Sequence, residues 1–238
     1  MMKPFIIIFF LFTTICFSQK QYKFDYLVEY ELTLFKDSIK IKNRAFRKKE
    51  EKIKRYYLTN SKNNDYLAII TEKDSLNYRM VFKDYNGIYS DVIFLKTNLN
   101  KAEFINIECK YVIKYSNPYK YQIDNHDFFI LKDTVINEKA FSRYKLRCIK
   151  PKLIRKKKLG TEFYIIDKST EFHLPILKFS TAYEEWKNNK FLPNGIFSEK
   201  YFIDYNGALD SNEKIIKYYK IDMKITIQDE CDYTKKKN

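Results

Sequence analysis

Few side chains of this 238-residue chain have catalytic or metal-binding potential: two histidines, four cysteines and one adjacent carboxylate pair beside the single tryptophan. A zinc site wants its ligands at close helical or loop spacing, and a nucleophile wants a base held beside it. His126 lies in Asn125-His126-Asp127 and His173 precedes Leu174-Pro175, so both read as ordinary loop or strand-end residues. Glu184 and Glu185 adjoin Trp186, a pairing that suggests carbohydrate contact. Neighbouring residues on a helix point in different directions, so this pair cannot flank one glycosidic bond and reads as a solvated face with one aromatic anchor. The chain carries no glycine-rich phosphate loop and no Gly-x-Ser-x-Gly turn. No cofactor and no catalytic residue is assigned.

The sharpest local feature is electrostatic. Lys150-Pro151-Lys152-Leu153-Ile154-Arg155-Lys156-Lys157-Lys158 concentrates positive charge between two strand-like segments and is closed by Gly160. Charge so dense repels itself and faces water, which predicts a solvated hairpin tip. The same five side chains Lys152, Arg155, Lys156, Lys157 and Lys158 are also the candidates for contact with anionic lipid head groups in an envelope. An exported chain does not meet nucleic acid, which makes it an unsuitable partner for this patch.

The elements that position these residues have a period of two. Val28, Tyr30, Leu32 and Leu34 alternate with Glu29, Glu31 and Thr33, as in a strand with one buried and one wet face. Leu76, Tyr78, Met80 and Phe82 alternate likewise, run into the turn Asp84-Tyr85-Asn86-Gly87, and return over Ile88–Leu95. Tyr66–Thr71 precedes them, so three consecutive strands form a meander. Further strands are predicted around Cys109–Ile113, Phe128–Leu131, Ser142–Cys148, Phe163–Ile166 and Tyr201–Tyr205. The longest alternation sets Tyr219, Ile221, Met223, Ile225 and Ile227 against polar partners. Only Ala182–Lys190, capped by Thr181 with Glu184 and stopped before Pro193, predicts a helix of about two turns. Phe82–Gly87 and Phe202–Gly207 agree at five of six positions, which reads as hairpin chemistry used twice, with a duplicated half-domain as the alternative. The closing Glu of a calcium loop is missing from both.

Residues 1–18 have the form of a secretory signal: Lys3, an apolar run from Phe5 to Phe12, and Cys16-Phe17-Ser18 before an expected cleavage between Ser18 and Gln19. Ile15 ahead of Cys16 argues against a lipid-anchored cysteine, and no transmembrane segment is expected once the signal is removed. Cleavage removes one charge of the net +15 and leaves residues 19–238, in which no Pro/Gly/Ser-rich linker marks a boundary; one domain is expected. Aromatics at 18% supply a core, so 32% charge does not imply disorder. Cys109, Cys148 and Cys231 are then an odd set: small buried hydrophobes or, alternatively, a Cys109–Cys148 bridge between neighbouring strands with one thiol left over.

The Lys-, Asn-, Ile- and Tyr-rich usage, the Phe17-Ser18-Gln19 junction and the Tyr-rich meander resemble, over the whole chain and in style, uncharacterised exported proteins of flavobacteria and their relatives. The resemblance implies the periplasm or cell envelope and supplies no catalytic residues. The expected architecture is mainly β: a single, strongly curved antiparallel sheet with one or two short helices, similar in outline to the half-barrel of periplasmic lipoprotein carriers, with a two-sheet β-sandwich as the alternative. Two functional classes follow. One is a non-catalytic envelope protein holding a lipid or other apolar ligand in a concave, aromatic-lined groove. The other is an envelope hydrolase, for which the fold must bring His126 or His173 within hydrogen-bond reach of a carboxylate.

Overall fold

The alternation that ends the chain becomes its longest strand. A computed structural model of the protein describes residues 19–36, 49–99, 103–117, 120–189 and 191–235; the apolar run, Cys16 and Ser18 lie outside them. The strands are β1 (Gln19–Lys36), β2 (Lys49–Asn60), β3 (Asn63–Glu72), β4 (Asn77–Asp84), β5 (Ile88–Leu95), β6 (Phe104–Ile107), β7 (Val112–Lys114), β8 (His126–Ile136), β9 (Lys139–Cys148), β10 (Thr161–Asp167), β11 (Phe197–Ile203) and β12 (Leu209–Gln228). Three short helices interrupt them: α1 (Lys96–Leu99), α2 (Pro151–Lys157) and α3 (Ser180–Asn189). All twelve strands form one sheet in the order β7-β5-β4-β3-β2-β1-β12-β11-β10-β9-β8, with β6 added in parallel alongside β12. The remaining pairings are antiparallel, so the single-sheet expectation holds and the sandwich does not.

The sheet is curved and does not close. Side chains of β3 and β8 enter the same buried cluster as helix α3, although seven strand steps separate β3 from β8. In a flat sheet those steps span roughly 34 Å, about three times a helix diameter. The face that meets α3 is therefore concave. Its cluster gathers Val28, Tyr30, Tyr57, Tyr144, Tyr164 and Phe197, packed under Trp186, Tyr183, Ile176 and Leu192 of the segment spanning 172–197.

The opposite face is not uniformly wet, contrary to the alternation seen in the sequence. Leu58, Ala68, Ile70, Met80 and Phe82 bury a second cluster with Tyr22, Phe24, Met223, Ile225 and Ile227. The even-numbered row of β1 is divided between the two cores: Tyr26, Val28 and Tyr30 go to the first, Tyr22 and Phe24 to the second. A register irregularity in the β1–β12 ladder between Phe24 and Tyr26 marks the division, since such interruptions re-aim side chains. Asp25, at the break, accepts from the Ser61 backbone N–H at 2.7 Å and from its hydroxyl at 2.5 Å, fixing the β2–β3 turn.

A disulfide joins Cys109, just after β6, to Cys231, just after β12. Of the two readings of the thiols, the small-buried-hydrophobe one holds for Cys148, a buried free thiol, but not for Cys109 and Cys231. The alternative Cys109–Cys148 bridge is corrected, because β6 leads Cys109 to the end of β12 and not to β9. The parallel pairing of β6 with the end of β12 is what brings Cys109 and Cys231 to 5.5 Å between Cα atoms. The two related hairpins share their turn chemistry: Asp84 Oδ1 accepts from Asn86 N–H at 2.8 Å, and Asp204 Oδ1 from Asn206 N–H at 2.9 Å. Gly87 has φ +155°, and a Cβ there would lie 2.7 Å from the Tyr233 carbonyl oxygen, so the first copy also requires glycine for close approach.

Candidate functional site

Most of the concave aromatic face is already occupied by the protein itself. Tyr30 stacks on Phe197 at 4.2 Å between centroids and donates its hydroxyl to the Phe197 carbonyl at 3.0 Å. Tyr144 stacks on Tyr164 at 4.6 Å, and all four rings are buried. The open space lies beside that segment, where Phe179, 45% exposed, stands at the entrance to helix α3. A cleft wraps this ring in three lobes of about 340, 310 and 250 Å³.

Strand register builds the floor of the largest lobe. Arg55, Thr71 and Arg79 face one another across β2, β3 and β4; Tyr57, Ile69 and Val81 form the next rung; Leu67 and Lys83 the one after. Directly paired residues share a face, so an apolar centre of Leu67, Ile69 and Val81 is flanked by cations at both ends. Tyr85, Lys178 and Phe179 complete the walls. The same register continues the face to Ile93 and Leu95 on β5 and Ile113 on β7, all exposed.

Between this lobe and the second sits a buried charged cluster. Glu213 Oε1 accepts from the Tyr57 hydroxyl at 2.8 Å and lies 3.6 Å from Arg55; Oε2 lies 2.9 Å from Lys200 Nζ. Lys200 also stands 3.8 Å from Glu162, whose other oxygen accepts from the Tyr164 hydroxyl at 2.5 Å. Burial alone raises the Glu213 carboxyl, but Lys200, Arg55 and Lys178 outweigh it and hold it down to about 2. For Glu162, burial wins over the Lys200 charge and the carboxyl is pushed up. Burial, reinforced by Lys200 and Arg55, lowers the Lys178 ammonium to about 8. Burial likewise lowers Lys83, whose Nζ reaches the Ser180 hydroxyl at 3.4 Å and sits over the Tyr85 and Tyr115 rings.

The histidines do not form a catalytic pair. His173 is buried, bonding Thr59 Oγ1 through Nε2 at 2.8 Å and the Leu174 carbonyl through Nδ1, and burial lowers its pKa. A neutral ring with Nδ1 as donor and Nε2 as acceptor satisfies both contacts. His126 opens β8 and bonds the Gln122 carbonyl at 3.1 Å. These partners are a hydroxyl and two carbonyls, not the carboxylate that the hydrolase expectation needs. Glu184 and Glu185 also differ from expectation. Both are buried against α3's surroundings, accepting from Asn117 at 2.8 Å and Asn189 at 2.6 Å respectively, rather than forming a solvated face.

The basic run connects β9 to β10 as expected, but as helix α2 rather than a bare hairpin tip. Pro151 occupies the first turn, where its missing N–H costs nothing, and Lys158 ends the helix in a left-handed conformation, φ 49°. Lys152, Arg155, Lys156, Lys157 and Lys158 are all exposed on this short element or at its end. Gln19 is the first described residue and opens β1. Among the described residues, no group of three or more His, Cys, Asp or Glu is placed to hold a metal ion, and no helix is long and apolar enough to cross a membrane.

Fold and cleft together define a class: an open, curved, mainly antiparallel sheet whose concave face is plugged by a helical segment and keeps one lateral cleft. No protein-family model and no curated protein matches the chain. Among solved structures it is similar to the Pseudomonas aeruginosa MucA/MucB complex, with a TM-score of 0.38 and 6% identity, over 82% of this chain and 51% of that one. An uncharacterized conserved protein from Thermus thermophilus gives a TM-score of 0.38 and 6% identity, over 87% and 82%. A LolA superfamily protein from Nitrosomonas europaea gives 0.30 and 9%, over 84% and 86%. The chain spans about half the length of the MucB chain it matches. At these scores the likeness is one of outline, and no ligand, partner or compartment is carried over from it.

Proposed function

We propose that this is a non-catalytic protein of the bacterial periplasm or cell envelope that holds a lipid or other apolar ligand in the cleft around Phe179. The observation that carries the reading is the floor of the main lobe, where half-buried Ile69 and Val81, beside buried Leu67, present an apolar surface next to a fully plugged core. Its volume, about 340 Å³, lies at the small end of the ~300–1,000 Å³ usual for ligand clefts and suits one chain rather than several. The signal-like residues 1–18 support export. Helix α2 is the proposed contact with an anionic envelope surface, through Lys152, Arg155, Lys156, Lys157 and Lys158. Mass spectrometry of organic extracts from protein purified out of its own envelope tests the ligand reading. A stoichiometric apolar compound is expected; only trace, variable lipid would contradict it.

A further inference from the structure

We propose that the ligand of this cleft is a single-chain amphiphile with an anionic head group, held between Arg55 and Lys178 while its chain lies over Leu67, Ile69 and Val81. The proposal rests on the apolar-ligand reading above and adds the charge of the head. Its basis is the balance of charge around the main lobe. The lining holds Arg55, Arg79, Lys83 and Lys178 and no carboxylate. Arg79 is satisfied, since Asp91 takes both its Nε, at 2.8 Å, and its NH2 group. The other cations are not matched one for one.

Arg55 and Lys200 share a single carboxylate, Glu213, which also accepts from Tyr57. Glu162, the second carboxylate of the cluster, is 3.8 Å from Lys200 and is pushed toward its neutral form by burial. Among the described residues no carboxylate lies within 4.0 Å of Lys178, and Arg55 Nε is buried without a hydrogen-bond partner. A buried donor without a partner and a half-buried ammonium facing two like charges are both unfavourable. An anion between Arg55 and Lys178 supplies the counter-charge that Lys178 lacks and that Arg55 shares with Lys200, through charge-assisted hydrogen bonds to the accessible part of each side chain. The two residues line the first lobe and the second alike, and since Glu162, Asp210 and Glu213 line the second, the head would sit on the carboxylate-free side of the junction, in the first. Beyond the floor, the Ile69–Val81 rung continues to Asp91, which Arg79 holds, and exposed Ile93 and Ile113 lie on the rungs to either side of it. Lys83, at the far end of the same floor, bonds Ser180 and covers two tyrosine rings, which assigns it to the wall rather than to the head group.

Titration calorimetry with the full chain, using dodecanoate and 1-dodecanol below their aggregation limits, tests the assignment. Dodecanoate is expected to bind at least about tenfold more tightly than the alcohol, the equivalent of one charge-assisted contact. Lys178→Met should bring the two ligands to within about twofold, whereas Lys178→Arg keeps the preference. At about pH 9, where Lys178 is largely neutral in the free protein, dodecanoate binding should take up protons, seen as a dependence on the buffer's ionisation heat. Equal affinity of the native protein for both ligands would overturn the anionic head group and leave the apolar cleft standing. Binding of neither ligand would remove the apolar reading itself. A full preference retained in Lys178→Met would overturn the role given to Lys178.

Discussion

Glu213 carries more of the charged cluster than any other residue, because three cations depend on it. Its carboxyl is held at about 2 against an ordinary value of 4.5, so the folded state binds fewer protons than the unfolded chain between those values. The resulting stabilisation, roughly 3 kcal/mol, is complete above about pH 4.5 and is lost as the pH falls through about 2. Lys178 works in the opposite sense: lowered in the folded state, it costs stability while protonated, and that cost is relieved as the pH rises past about 8. Replacing Glu213 by Gln keeps the shape and removes the charge, taking the carboxylate partner from Arg55 and the nearer one from Lys200, and leaving the Lys178 charge less balanced. Urea unfolding at neutral pH should show a loss of about 3–5 kcal/mol, shrinking toward pH 2. A loss under about 1 kcal/mol would mean that solvent, not Glu213, balances the cluster. None of this is legible in the sequence. The members run from residue 55 to residue 213 with no shared motif, and the β1–β2, β1–β12 and β11–β12 pairings collect Arg55, Glu213 and Lys200 on one face. The sequence also placed Glu184 and Glu185 in water, since nothing local announces Asn117 and Asn189 as their partners.

Among the elements, strands with clean alternation were legible: β4, β5, β9 and β12 fall where the period of two put them. β2 was missed. Its Lys52 and Lys54 make it look like a solvated run, but they pair across the ladder with Glu31 at 2.7 Å and Glu29 at 3.0 Å. The parallel pairing of β6 was not legible, because it depends on distant β12. That pairing decides the disulfide. Closing a loop of 122 residues, the bridge should contribute about 2–4 kcal/mol. Cys231→Ser should therefore lower the urea midpoint markedly, and alkylation of the unreduced, unfolded chain from Gln19 should label Cys148 alone. Labelling of Cys109 or Cys231 instead would contradict the pairing. Helix α2 supplies a separate test. Changing Lys152, Arg155, Lys156, Lys157 and Lys158 to Ser should weaken sedimentation with anionic vesicles by orders of magnitude, since each charge is worth about 1 kcal/mol near such a surface. Stability should hardly change. Binding that is equal for both proteins, or indifferent to vesicle charge, would leave α2 a solvated connector.

At the scale of the whole molecule, the curvature of one sheet explains both the core and the cleft. Wrapping β3 through β8 around the 172–197 segment seals the tyrosine face, so the aromatic residues that suggested a binding groove are spent on the protein's own interior. The unsealed remainder is smaller, more aliphatic and more cationic than the composition alone implies, because β2–β4 extend past the edge of the plug at Phe179. The sequence revealed the single curved sheet through its alternation and its lack of long crossover segments. It did not reveal the second core, because the change of face between Phe24 and Tyr26 leaves the even-numbered apolar row unbroken. The central claim is that an apolar ligand enters the Phe179 cleft. It is tested most directly by filling that cleft: Val81→Trp places a large ring over the floor rung of Ile69 and Val81 without touching the charged cluster. Titration with an environment-sensitive fluorescent fatty acid should give saturable, one-to-one binding to the native protein and at least about a tenfold loss in the variant, at an unchanged circular dichroism spectrum. Equal binding by the two proteins, or no saturable binding by the native one, would contradict it.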